Sequence, residues 1–232
     1  MPPFQQHSSG DATAGLPYRD RTEAGRVLVR TLQQRVPDVT GDDQVLALPR
    51  GGVPVACEVA AALEQPLDVF VVRKLGLPGQ EELAMGAIAG GGIQVINRDL
   101  VRAAGVSAGH VQRIIDRETR ELERRERTYR GDRPAPDLRD RTVILVDDGL
   151  ATGSTMQAAA LAVHERHPAR ILVAVPVAPP DAVAMLEQHC DAVICPARPE
   201  PFGGVGRWYA RFDQLGDDAV RELLERAWSG AA

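Results

Sequence analysis

Several features that would assign the chain to a narrow class are scarce or missing. Only three cysteines occur in 232 residues, Cys57, Cys190 and Cys195. An odd count with no C-x-x-C pair argues against a disulfide framework and against a zinc site. Their neighbours are largely apolar, so buried structural thiols are expected. No stretch approaches the run of about 18 apolar residues that a membrane span needs. No basic segment followed by an apolar one opens the chain, so the cytoplasm is the expected location and no membrane partner is expected. Positive charge is not in excess. The net charge of −5 disfavours nucleic acid and anionic membranes as partners. Aromatic residues make up only 4% of the chain, so a local concentration of them stands out. The remaining composition, 44% hydrophobic and 25% charged, is that of an ordinary globular protein, on a length that suits one domain with an appendage.

The most informative stretch runs from Val143 to Met156. Val143, Ile144, Leu145 and Val146 form an unbroken apolar run, as expected of a strand covered on both faces. Asp147 and Asp148 close it. Neighbouring strand residues point to opposite sides, so each carboxylate can accept from a separate hydroxyl, or one can reach a metal through water. Gly149, Leu150 and Ala151 lead into Thr152-Gly153-Ser154-Thr155, which offers hydroxyls and backbone amides just ahead of an Ala-rich helical segment. The amides at a helix start lack intrahelical acceptors and carry partial positive charge, which suits a phosphate. A nucleotide P-loop is excluded, because that motif needs a lysine before its Ser/Thr and none is present here. Simple helix capping would explain one residue, but not two carboxylates, a glycine turn and three hydroxyls together.

Two further stretches carry charge to strand ends. Val45 to Leu48 reads as a short strand, followed by Pro49, the turn Arg50-Gly51-Gly52 and a helix. The glycines leave backbone amides open to an anion, although a glycine-rich turn alone is a weak signal. Val69 to Val72 reads as a second buried strand ending in Arg73 and Lys74, cations that would seek an anion. A loop containing Gly76, Pro78 and Gly79 is expected to follow. Three strands should thus deliver polar groups to one edge of one sheet.

Along the rest of the chain, residues 1–17 are rich in Pro, Gly, Ser and Gln and read as flexible. An amphipathic helix is expected over 18–36, and a hairpin over 86–89 and 93–96 around Gly90-Gly91-Gly92. A long charged helix is expected over 107–130, with a thin apolar stripe at Val111, Ile115, Leu122 and Tyr129. That stripe suits a domain edge or a contact with a second copy of the chain, as in a homo-oligomer. Strands at 171–175 and 192–195 alternate with helices at 155–166 and 180–188. This alternation predicts an α/β fold with a doubly wound parallel sheet. Residues 199–212 gather Phe202, Trp208, Tyr209 and Phe212. Flat rings near a nucleotide site can stack on a base, and a small satellite core that pins the terminus is the plainer alternative.

Residues 143–156 resemble the phosphoribosyl-pyrophosphate (PRPP) motif of the type I phosphoribosyltransferases. The resemblance covers roughly residues 18–225 and looks closest to stand-alone domain proteins of this family whose acceptor is undefined. It implies a core over 18–198 and a hood from terminal segments, with 199–232 as its C-terminal part. It further implies that Asp147 and Asp148 hold the ribose hydroxyls, that Ala151 through Thr155 wrap the 5′-phosphate, and that Gly149 and Leu150 also belong to the PRPP-binding residues. The turn at Arg50, Gly51 and Gly52 becomes the pyrophosphate loop, with a cis peptide at Arg50–Gly51 or beside it. Arg73 and Lys74 would act on pyrophosphate, residues 75–84 would be a flexible closing loop, and Phe202, Val205 and Trp208 would face the acceptor. Mg²⁺ would be the cofactor, held by Asp147 and Asp148 through PRPP hydroxyls or water, and the small-molecule substrates would be PRPP and a nitrogenous acceptor. Ala151 departs from relatives that place an aspartate there to act on a purine, which weakens a hypoxanthine or guanine assignment. A PRPP- or nucleotide-sensing regulator on the same fold stays open, as does an inactive domain that assembles through the 107–130 helix.

Overall fold

A computed structural model describes residues 15–39 and 43–230. The expectation of a flexible segment at 1–17 falls almost wholly outside them. Five strands form an all-parallel sheet: β1 (Gln44–Ala47), β2 (Leu67–Val69), β6 (Thr142–Val146), β7 (Arg170–Ala174) and β8 (Ala192–Ile194), in the order β2-β1-β6-β7-β8. Counting parallel strands alone, this is the 2-1-3-4-5 order of a doubly wound fold. Three more strands, β3 (Val72–Leu77), β4 (Gln80–Ala89) and β5 (Ile93–Ile96), form a separate antiparallel sheet.

Strand alternation sorts the side chains of the parallel sheet into two cores. Val45, Ala47, Ile144, Val146 and Leu172 share one cluster with α1 (Arg21–Arg35), α2 (Gly52–Leu63), α4 (Ala108–Arg130) and α7 (Asp217–Trp228). Leu46, Val143, Leu145, Ile171 and Val173 face the other cluster, built with α5 (Ser154–His164) and α6 (Pro180–Leu186). Both faces are therefore covered, which explains why β6 reads as a continuous apolar run.

The structure departs from the sequence expectations in three places. Residues 72–89 are not a strand end followed by a loop but a long hairpin turning at Pro78-Gly79, packed between α4 and α5. Leu75, Leu77 and Met85 are buried in the core with Ile114, Ile115 and Leu122 of α4, and that burial holds the hairpin. Gly76, which reads as a loop residue, sits at a register shift where a Cβ would come within 2.7 Å of the Glu81 carbonyl oxygen. A short helix, α3 (Arg98–Ala103), capped by Asn97, was not expected. Finally, α7 packs on α2 and α4, and its Val220 and Leu224 belong to the main core, while only the segment before it lies with the N-terminal residues.

One buried ion pair ties α4 to the sheet. Arg130 donates to Asp68 at 3.1 Å and to the Val69 carbonyl at 2.7 Å, and its Glu126 partner lies one turn back on the helix. Removing one member of a buried pair strands the other. Arg130→Met is expected to cost about 3 kcal/mol of unfolding free energy, read from urea denaturation. A cost near zero would contradict the pairing.

Candidate functional site: a carboxylate pair facing a helix N-terminus

β1 and β6 lie side by side, yet their chains continue in opposite directions across the sheet, β1 to β2 and β6 to β7. In a doubly wound sheet the crevice at this reversal, outside the carboxyl ends of the strands, is where ligands bind. Two of the three expected polar turns meet there: Arg50-Gly51-Gly52 after β1, and Asp147-Asp148 after β6. The contact is tight. A Cβ on Gly52 would lie 2.6 Å from the Val146 carbonyl oxygen and 2.9 Å from the Asp147 Cα, and one on Gly51 would collide with the Asp148 carboxylate. The glycines are required by this approach, since neither adopts a left-handed φ. The cis peptide of this turn is Pro49–Arg50, beside the expected bond.

The two carboxylates are not equivalent. Asp147 keeps partial access to solvent, and its Oδ1 accepts from the Asp148 amide at 2.8 Å. Asp148 is buried, with its Oδ2 held by Arg21 Nε at 2.8 Å and its carbonyl accepting from the Tyr209 hydroxyl at 2.5 Å. Burial, reinforced by the neighbouring Asp148 charge, pushes the Asp147 carboxyl well above the usual carboxylate range. Burial likewise raises Asp148, opposed by the Arg21 guanidinium. Two such groups side by side favour a ligand that brings hydroxyl donors or positive charge.

The other end of the site is the start of α5. Gly153 is its N-cap at φ 74° and no side chain caps the helix. Thr152 Oγ1 and Ser154 Oγ share a hydrogen bond of 3.0 Å, and Ala151, Thr152 and Thr155 are exposed. The first amides of α5 thus lie at a helix end without a side-chain cap, the Ser154 amide in only a long 3.4 Å bond to Thr152 Oγ1, beside two hydroxyls, an arrangement that suits an anion. Leu150 has its side chain buried in the second core, and its amide donates to Val177 O at 3.0 Å. Gly149, at φ 156°, packs under Val205.

The terminal segments form a cover. Tyr18 and Tyr209 make a parallel bridge, extended by hydrogen bonds from Tyr18 N to Trp208 O and from Ala210 N to Tyr18 O. Trp208 stacks on Phe202 with ring centres 6.3 Å apart and donates its indole N–H to the Phe202 carbonyl. Phe202, Val205 and Trp208 are all partly buried around the small cluster of Tyr18, Ala24, Val177, Ala197 and Tyr209. The aromatic segment thus forms a satellite core that lies over the Gly149 turn.

Other sequence candidates are committed elsewhere. Arg73 is not at the crevice: it pairs with Glu118 of α4 at 2.5 Å. Lys74, the chain's single lysine, follows on the opposite face of β3, the side against α5. The Gly52 amide is used by Leu48 O at 3.1 Å. Arg50 donates to Leu215 O at 2.7 Å, ahead of α7. Arg21 was missed as a site residue. A cation in the first turn of a helix opposes the helix dipole, and that misfit was the available signal.

Among the described residues no cluster of three or more His, Cys, Asp or Glu could hold a metal by itself, and no helix is long and apolar enough to cross a membrane. A doubly wound fold with paired carboxylates and a helix start without a side-chain cap at its switch point defines the class of site, and comparison with known proteins gives the family. Residues 22–206 match the phosphoribosyl transferase domain family. The chain belongs to that family. It is 43% identical over 211 residues, 90% of its length, to proteins from two strains of Mycobacterium tuberculosis provisionally named phosphoribosyl transferases. It spans about half the length of these relatives, 47% of each. The crystal structure of TT1426 from Thermus thermophilus superposes with a TM-score of 0.82 at 40% identity, over 89% of this chain and 97% of that one.

Because Gly52 meets backbone rather than a movable side chain, Gly52→Ala is expected to lower unfolding free energy by about 1–3 kcal/mol. The urea midpoint measures it, and an unchanged midpoint would contradict the close approach of the two turns.

Proposed function

We propose that the protein transfers the 5-phosphoribosyl group from PRPP to a nitrogenous acceptor with release of pyrophosphate. The observation that carries this reading is the partly open Asp147 at the end of β6, in the same turn as the uncapped start of α5. Those two features match the two ends of a ribose 5-phosphate. The Thr152–Thr155 amides and hydroxyls would take the 5′-phosphate. Asp147 would accept from a ribose hydroxyl, with Asp148 behind it. On the other side of the ribose, Gly51 and Arg50 lie nearest to where pyrophosphate would leave, and Lys74 is the further candidate for its charge.

The carboxylate pair fits Mg²⁺ in one respect, since this ion commonly binds through one or two carboxylates together with substrate oxygens and water. When bound, it would neutralise charge on pyrophosphate. The protein's own contribution would be orientation and electrostatics. The ribose is fixed so that C1′ can develop oxocarbenium character, and a nitrogen held beneath Phe202, Val205 and Trp208 attacks with inversion. With Ala151 ahead of Thr152, no carboxylate at that position acts on the acceptor.

The sensing alternative gains from one specific observation: Arg73 and Arg50, expected to stabilise departing pyrophosphate, are bonded to Glu118 and to Leu215 O. A protein that only binds PRPP has no need of free cations there.

Pyrophosphate release from PRPP with Mg²⁺, screened against purines, pyrimidines and other nitrogen acceptors, decides between the two. Release that depends on one acceptor is expected, and the double variant Asp147→Asn, Asp148→Asn should abolish it while keeping a cooperative thermal transition. Full activity in that variant would sink the assignment. PRPP binding without release for any acceptor would favour the sensor.

A further inference from the structure

Arg21 is the first residue of α1, and Asp20 caps that helix by accepting from the Glu23 amide at 3.0 Å. A guanidinium in this position gains nothing from the helix. It is nevertheless nearly buried, with its side chain 12% exposed. It makes three contacts at once: Nε donates to Asp148 Oδ2 at 2.8 Å, Nη1 donates to Asp213 O at 2.9 Å, and the planar group lies 4.0 Å from the centre of the Phe212 ring. Asp213 and Phe212 belong to the C-terminal segment that pairs with residues 18–19, while Asp148 belongs to the carboxylate pair. One side chain therefore spans the cover and the crevice.

Asp148 is held from each side by the fold. Gly51 abuts its carboxylate, its amide donates to Asp147 Oδ1, and its carbonyl accepts from Tyr209, itself part of the cover. Where a hydroxyl ligand finds the Asp148 carboxylate thus depends on what holds its Oδ2. Burying that oxygen with no partner would be costly, and Arg21 is its charged partner.

We infer that Arg21 is a positioning residue that fastens the paired terminal segments to the Asp148 carboxylate, so that the ribose-binding pair and the acceptor-side cover are set in one register. This rests on the phosphoribosyl reading of the site. A lysine at position 21 could reach Asp148 with its charge, but it lacks the flat fork that also bonds Asp213 O and stacks on Phe212. The two tasks are therefore separable.

The test uses the full chain with Arg21→Met and Arg21→Lys, following PRPP binding in excess Mg²⁺ by calorimetry and amide hydrogen exchange over residues 205–213. Arg21→Met should weaken PRPP binding about tenfold or more, the scale on which outer partners of a ligating group act, and should speed exchange in the cover. Arg21→Lys should recover most of the affinity while exchange stays fast. A purely structural role would not give this split. Wild-type affinity in Arg21→Met, or a lysine variant as weak as the methionine one, would overturn the positioning role. If Arg21→Met fails to fold, Arg21→Lys decides: retained affinity with faster exchange supports the role, and unchanged exchange overturns it. Absence of PRPP binding by the wild-type protein would instead overturn the phosphoribosyl reading, and the positioning role with it.

Discussion

Two adjacent carboxylates at the end of a central, doubly covered strand are the constraint around which the rest is arranged. A pair of carboxylates with one member buried and the other partly so is unfavourable in its charged form unless cations, donors or a ligand surround it. Here the fold supplies part of that environment. Arg21 reaches Asp148 from α1, the Asp148 amide turns back to Asp147, and Gly51 and Gly52 bring the β1 turn against both residues. The environment of Asp147 is left incomplete on its open edge, and the start of α5 lies a few residues further along the same turn. A ligand with hydroxyls at one end and phosphate at the other is the one proposed to complete this arrangement.

The second consequence is how the ends of the chain are used. Residues 18–21 and 208–213 are about 190 positions apart in sequence, yet they form one short ribbon held by backbone bonds, the tilted pair of Tyr18 and Tyr209, and the stack of Arg21 on Phe212. The ribbon has two bonds to Asp148, one to its carboxylate and one to its carbonyl. Burial raises the Tyr209 hydroxyl far above its ordinary range, so it serves as a neutral donor. The cover is thus built into the same polar network as the crevice.

Legibility followed the range of the interactions. The β6–loop–α5 unit was readable because its pattern is local: apolar run, carboxylates, hydroxyls, helix. The 86–96 hairpin and the helix ending at Arg130 were readable for the same reason. The 72–89 hairpin was not, because Gly76, Pro78 and Gly79 read as breakers, whereas Pro78 and Gly79 form the turn and Gly76 sits at the register shift. The assignment of Arg73 to the crevice failed through a partner distant in sequence. Glu118 falls within the spacing of the Val111, Ile115 and Leu122 stripe, and a carboxylate on an apolar stripe calls for a cation. Arg21 depends on a contact across 127 residues, and nothing in its neighbourhood except its opposition to the helix dipole hinted at it. The Gly52 amide was expected to be open, and it bonds within its own turn, because a sequence does not show which backbone donors the fold itself consumes.

The central claim is that the crevice between β1 and β6 receives a phosphoribosyl group, phosphate on α5 and ribose on the carboxylate pair. The most direct measurement is a crystal structure of the protein soaked with PRPP and Mg²⁺. The account predicts the 5′-phosphate on the amides of residues 152–155, with a ribose hydroxyl on Asp147. Ordered PRPP elsewhere on the surface, with none between β1 and β6, would contradict it.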